Sequence, residues 1–167
     1  MKTFILGLLF SLPAMAIDLT FVGPCSEEFI MKTKVTEEFN HVGDLTVATL
    51  NKFSIPFKGY PEGIAEVLGL GNYTETISAK EFRTYGWCYR VDGVVPEVFP
   101  YETYITPETE AITWFYGYSH YKNGQWLSQC TDAYKVKPKE LCDKAEPPGQ
   151  TIKIQLYFPL ADKCFKG

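Results

Sequence analysis

Tyr85-Gly86-Trp87-Cys88-Tyr89-Arg90-Val91-Asp92-Gly93 and, further on, Ile112-Thr113-Trp114-Phe115-Tyr116-Gly117-Tyr118-Ser119-His120 decide the fold. In the first run Tyr85, Trp87, Tyr89 and Val91 share one parity, and Gly86, Cys88 and Arg90 take the other. In the second, Ile112, Trp114, Tyr116, Tyr118 and His120 stand opposite Thr113, Phe115, Gly117 and Ser119. Successive strand side chains point to opposite faces, so a period of two over such lengths reads as two strands of a half-buried sheet. Asp92-Gly93 supplies the turn chemistry that ends the first strand. Asn123-Gly124, followed by Gln125-Trp126-Leu127-Ser128-Gln129, marks a tight hairpin with a returning strand, because both central positions require positive φ. All three tryptophans of the chain lie in this region.

Working outward, Leu19-Thr20-Phe21-Val22 is a short alternating run that stops at Gly23-Pro24. Residues 29–36 follow with Phe29, Met31 and Val35 on one parity and Lys32 and Lys34 on the other. These two runs predict a first hairpin. Residues 44–53 then carry Val47, Leu50 and Phe53 at near-helical spacing, with Asp44 as the expected N-cap and Pro56 as the stop. This is the helix expected to cover the sheet. Ile64 to Leu68, bracketed by Gly63 and Gly69, predicts one more helical turn. Near the end, Ile152, Ile154, Leu156 and Phe158 alternate with Lys153, Gln155 and Tyr157 as a final strand, after a Pro147-Pro148-Gly149 linker. Two strands, a helix and then more strands is the element order of a β-grasp sheet. The fold class expected is therefore α+β: a β-grasp-like mixed sheet covered by one main helix, with a disulfide-stabilised C-terminal extension.

A family resemblance rests on the same residues. Trp87-Cys88-Tyr89-x-Val91-Asp92-Gly93, a proline-containing loop, Thr103-Tyr104-Ile105, and then Glu110-Ala111-Ile112-Thr113-Trp114-Phe115-Tyr116 together resemble the transcobalamin-like C-terminal β-grasp family. That family shows an aromatic strand ending in Asn-Gly or Asp-Gly, followed by an acidic-Ile-x-Trp-x-Tyr strand. Thr46-Val47 and Leu50 resemble its helix start. The likeness runs over about residues 19–118, and residues 130–167 have no counterpart in it. In vitamin-B12 carriers such a domain encloses cobalamin together with a larger helical domain, which this chain lacks. The resemblance thus implies a binding or interaction module more than a carrier.

Compartment and charge follow from composition. Lys2, the apolar run Phe4-Ile5-Leu6-Gly7-Leu8-Leu9-Phe10 and the exit Ala14-Met15-Ala16 are the three parts of a secretory signal peptide. The expected organisation is a signal peptide over residues 1–16, a β-grasp-like domain over 17–143, and a linker with a C-terminal strand and tail over 144–167. No later stretch approaches the roughly 20 apolar residues of a membrane span, so a soluble secreted or periplasmic product is expected. With 16 basic and 20 acidic residues the net charge is −4, which argues against nucleic acid as a partner. The five cysteines, Cys25, Cys88, Cys130, Cys142 and Cys164, suit an oxidising compartment. They cannot all pair within one chain, and spacing selects no arrangement. A Cys142–Cys164 bridge would pin the C-terminal tail. No Cys-x-x-Cys occurs and His41 and His120 are isolated, so no metal and no cofactor is expected.

The aromatic stripe has two readings. Trp87, Tyr89, Trp114 and Tyr116 fill the core under the helix. The second strand, Ala111 to Tyr121, is longer than an ordinary strand, so its far end outruns that cover. Tyr118, His120, Tyr121 and Trp126 are then the binding residues, forming an open platform for a small molecule, a glycan or a protein. His120 as a base and Cys88 as a nucleophile lack an orienting acid and an oxyanion nest, so catalysis is not expected. Asn72-Tyr73-Thr74 fits a glycosylation sequon. The function expected is an exported, non-catalytic binding module. Its alternatives are a structural subunit of an envelope assembly paired through sheet edges, or a binder of a cobalamin-type ligand.

Overall fold

Alternating burial begins with the first strand, β1 (Ile17–Val22), where Ile17, Leu19 and Phe21 are buried between half-exposed neighbours. The computed structural model describes residues 16–143 and 154–156. Strand β2 (Phe29–Val35) returns antiparallel to β1, pairing Phe21 with Met31 and Leu19 with Thr33. The expected first hairpin is present. The residues ahead of Ala16, expected to belong to a signal peptide, and the cysteine at 164 lie outside the described residues.

Helix α1 (Val42–Lys52) starts earlier than its sequence suggests, and Asp44 is not the N-cap. His41 holds that position, with Asp44 in the first turn, where its carboxylate approaches His41 Nδ1 at 3.3 Å. The reason lies elsewhere in the chain. The Val42 and Gly43 backbone N–H groups donate to the carbonyls of Thr103 and Pro100 at 3.0 Å each. A distant loop thus satisfies the orphan donors that a side-chain cap would otherwise take. Val42, Leu45, Thr46, Thr49 and Leu50 are buried, a stripe at the i, i+3, i+4 spacing of a helix lying on a core.

After the helix come β3 (Phe57–Tyr60) and β4 (Gly63–Val67), paired in a separate two-stranded ribbon. The helical turn expected over Ile64 to Leu68 is therefore a strand. Ile64 and Val67 are buried there and Ala65 is exposed. The partner strand β3 settles what so short an apolar run leaves ambiguous.

The main sheet then resumes with β5 (Tyr73–Ser78), β6 (Glu81–Val91), β7 (Ala111–Lys122) and β8 (Gln125–Asp132). Both hairpin turns have the backbone their residues imply: Asp92 and Gly93 at φ 48° and 83°, Asn123 and Gly124 at φ 50° and 89°. A last strand, β9 (Ile154–Leu156), runs parallel to β2 and is the described part of the expected C-terminal strand. Strand order is β5-β6-β7-β1-β2-β9, with β1 parallel to β7 and β8 joined to β7 off that path. The fold is thus α+β: a mostly β, mixed sheet with one main helix.

Strand β7 divides one of its sides. Its first part, Ala111 to Phe115, pairs with β1, and its second, Gly117 to Lys122, pairs with β8. The chain leaving β8 is followed by a 3-10 turn (Ala133–Lys135) and a short helix, α2 (Lys139–Cys142). There Cys142 bonds to Cys25 across 117 residues of sequence, and Cys88 bonds to Cys130. The Cys142–Cys164 bridge is thereby replaced: tertiary approach, not nearness along the chain, chose the partner. No helix among the described residues is long and apolar enough to cross a membrane. Two disulfides agree with an extracytoplasmic setting.

Two outcomes check this packing. A Cβ at Gly43 would sit 2.0 Å from the Pro61 carbonyl oxygen, whereas one at Gly63 meets nothing within 4 Å. Gly43→Ala should lower stability in thermal unfolding by on the order of 1–3 kcal/mol, and Gly63→Ala by much less. The double replacement Cys25→Ser with Cys142→Ser should cost about 2–4 kcal/mol, because it frees a long loop in the unfolded chain.

Candidate functional site

The distal end of β6, β7 and β8 differs from the core beneath α1. Alternation continues along β7, so Tyr118 and His120 extend the face that carries Trp114 and Tyr116, while Tyr121 belongs to the opposite face. Trp126 pairs directly with Tyr121 and shares its face. The four residues expected to form one platform are therefore divided between two surfaces of different chemistry.

The surface of Tyr118 and His120 is ionic. Tyr118 lies 6.0 Å from Tyr85 between ring centroids, and the Arg83 guanidinium sits over it at 6.0 Å. Glu75 accepts a hydrogen bond from Tyr85 Oη at 2.8 Å and an ion pair from Arg83 at 3.4 Å. Beside this group, Glu81 binds His120 Nε2 at 2.9 Å and Lys122 Nζ at 3.0 Å. Hydrogen bonds from Lys122 and then His120 hold the Glu81 carboxyl below its ordinary range. Glu81 thus gives His120 the carboxylate partner that the sequence did not reveal, while Cys88 is held in a disulfide and is not free as a nucleophile.

The surface of Tyr121 and Trp126 is uncharged and aromatic. Phe82 and Tyr121 stack at 4.8 Å with planes 22° apart, and Trp126 meets both edge-on, at 5.9 Å and 5.3 Å. Such edge-to-face geometry lets each ring hold the others in place. Trp126 nevertheless remains 47% exposed and Leu127 56%. Two residues further along each strand on the same face come Thr84 and Ser119, and then the directly paired Gly86 and Gly117. The two glycines make room for neighbouring side chains, and Gly117 is buried. A Cβ at Gly86 would meet Asn72 Oδ1 at 2.7 Å, and one at Gly117 would meet Cys88 Sγ at 2.9 Å. A trough of about 500 Å³ lies here, lined by Asn72, Thr74, Thr84 and Ser119 among others. Its lining reaches Cys88 and begins one same-face position beyond Phe82 and Tyr121, which do not themselves line it, and these four side chains are neutral hydrogen-bonding groups.

Phe82, Thr84, Gly86, Gly117 and Ser119 were not singled out from sequence as site residues. Phe82, Thr84, Gly86 and Cys88 do share one parity, but the strand's start is hidden in sequence because Glu81 to Thr84 gains its order from β5. Strand β5 itself, Tyr-Thr-Glu-Thr-Ile-Ser, has little burial to advertise it.

No family model and no curated protein matches the chain. Among solved structures, the chain is similar to the crystal structure of "a putative metal binding protein" from Ruminococcus gnavus ATCC 29149. Sequence identity is 13% and the TM-score 0.39, over 62% of this chain and 98% of the other. Among the described residues, no three His, Cys, Asp or Glu side chains are grouped to hold a metal ion.

Tyrosine ionisation tests the packing of the ionic surface. Burial, and then the Glu75 carboxylate, drive the Tyr85 phenol well above its usual value of 10.0, and burial pushes Tyr116 up to about 12. A raised folded pKa gives stability that is complete below pH 10.0 and is lost as pH rises through the folded value. Ultraviolet titration should therefore show Tyr85 and Tyr116 ionising last, after Tyr73, Tyr89 and Tyr101, whose phenols are also raised, alongside alkaline unfolding. Glu75→Gln should bring Tyr85 partway back toward the rest, since burial remains.

Proposed function

We propose that this protein is an exported, non-catalytic binding module of the transcobalamin-like β-grasp type, and that it takes a neutral, ring-containing ligand, a glycan, on the Phe82–Tyr121–Trp126 surface. Three features support the β-grasp part. Strand β1 lies between β2 and β7, β1 runs parallel to β7, and α1 follows the first hairpin. Export is supported by the Ala14-Met15-Ala16 exit at the N-terminus and by the two disulfides.

The observation that carries the ligand class is the contrast between the two faces of the hairpin end. On one face Arg83 pairs with Glu75, and His120 and Lys122 pair with Glu81. On the other, a half-exposed tryptophan is braced by two further rings, and the next positions on the same face, Thr84 and Ser119, line a trough with amide and hydroxyl side chains. Flat rings offer an apolar stacking surface, and neutral donors and acceptors beside them suit the hydroxyl groups of a sugar. A charged ligand finds no counter-charge among the four polar side chains named for this trough.

The mature protein should bind members of a neutral glycan array, and titration calorimetry should give the affinity. Trp126→Ala should abolish that binding while leaving the far-ultraviolet circular dichroism unchanged, because Trp126 is outside the core. Cobalamin is the second probe, chosen for the family resemblance. Glycan binding that survives Trp126→Ala, or cobalamin binding without glycan binding, would overturn the assignment.

A further inference from the structure

The outer edge of β6 is open over part of its length, away from the hairpin end. Strand β5 accompanies β6 only from Glu81 to Tyr85, and beyond that no described strand pairs with this side. The direction of the backbone groups there is known from the neighbours. Asp92 N–H donates inward to the Ala111 carbonyl, whereas Val91 exchanges both its bonds with Val94, on the side away from β7. Groups of one residue point the same way in a strand, and the direction alternates residue by residue. Trp87 and Tyr89 therefore turn their N–H and C=O groups outward, making four backbone groups that no described strand pairs with.

The chain after the Asp92–Gly93 turn begins to cover this edge and then leaves it. The Val91–Val94 pair sets an antiparallel register in which Pro96 falls opposite Tyr89. Proline has no N–H to give the Tyr89 carbonyl, so the ladder stops at that position. Its departure is held in place by the Tyr89 hydroxyl, which donates to the Val98 carbonyl at 2.7 Å. A cleft of about 680 Å³ results, with Trp87 to Tyr89 on one wall and residues 95–100 and 62–64 on the other. Val98 and Phe99 are 50% and 62% exposed beside it, and Glu62 and Glu97 line it with exposed carboxylates.

We propose that this edge takes a short extended peptide of a partner protein as an added strand, and that the peptide carries a basic residue among apolar ones. A row of unpaired backbone donors and acceptors is complemented by another extended backbone, which supplies main-chain bonds while alternate side chains enter the flanking wall. Glu62 and Glu97 select the basic residue. A second copy of this chain brings the same two carboxylates to the same place, and like charges meeting there oppose self-pairing.

The test uses the full mature chain and synthetic hexapeptides that alternate valine and threonine around one central residue. A lysine peptide should bind and a glutamate peptide should not, and the double variant Glu62→Gln, Glu97→Gln should lose most of that difference. Backbone N-methylation at alternate residues should abolish binding in one parity and spare it in the other. On binding, hydrogen exchange should slow at the Trp87 and Tyr89 amides, while the Cys88 amide, already bonded to β7, stays unchanged. Pro96→Thr restores the missing donor, so the chain's own loop should close on the edge and weaken the peptide. Equal tolerance of methylation in both parities, equal binding of the two peptides, or binding only after removal of residues 144–167 would each overturn the proposal. So would a concentration-dependent dimer that competes with the peptide.

Discussion

The indole of Trp114 is almost fully buried, and its N–H needs an acceptor there; Thr46 Oγ1 provides it at 2.9 Å, while the same hydroxyl donates to the Val42 carbonyl. That pair of bonds ties the helix to the middle of the sheet. The neighbouring aromatics repeat the arrangement with other segments. Trp87 donates to the Leu70 carbonyl, Tyr116 to the Gly71 carbonyl and Tyr89 to the Val98 carbonyl. Each bond contributes only about 1 kcal/mol net, but leaving such a group buried and unpaired costs more, about 1–3 kcal/mol. The aromatic strands therefore dictate where the helix, the turn before β5 and the long loop after β6 come to rest. Around them the rings interlock, with Phe21 parallel to Trp114 and edge-on to Trp87.

The divided side of β7 is the second organising constraint. Because β1 claims Ala111 to Phe115, β8 can pair only with the distal half. The chain must leave the sheet at Asp132, where Arg90 and Lys135 both pair with the carboxylate. This exit carries Cys142 to Cys25 and places Cys130 beside Cys88. It also creates the distal end of the sheet, whose two faces differ so sharply in charge. The ionic face and the ring-and-trough face arise from one alternation along the same strands, so neither can be changed in register without exchanging the other.

At its other end β6 meets the opposite circumstance, an edge left open because a proline cannot continue the ladder. The two proposed surfaces thus differ in the kind of complementarity they offer. One presents rings and neutral hydroxyl groups from side chains. The other presents main-chain groups flanked by apolar and acidic residues. Both include strand β6, which the Cys88–Cys130 disulfide ties to β8.

Local periodicity was enough for the elements that bury one face. The alternation of Tyr85 to Val91 and of Ile112 to His120, the Asp-Gly and Asn-Gly turns, the first hairpin and the existence of α1 were all legible, because a side chain's parity depends only on its own strand. What was not legible depended on a partner far away in sequence. Asp44 was displaced as N-cap by the carbonyls of Pro100 and Thr103, β4 was a strand because β3 lay beside it, and Cys142 met Cys25 because β8 ended where β1 did. The split of Tyr121 from Tyr118 and His120 was legible in their parity, but the placing of Trp126 beside Tyr121 required the hairpin register. Composition and period thus determined which side chains had to be hidden and which turns could form. Only the tertiary structure decided which groups would face one another, because hydrogen-bond partners, disulfide partners and open edges are properties of pairs of segments and no single segment encodes them.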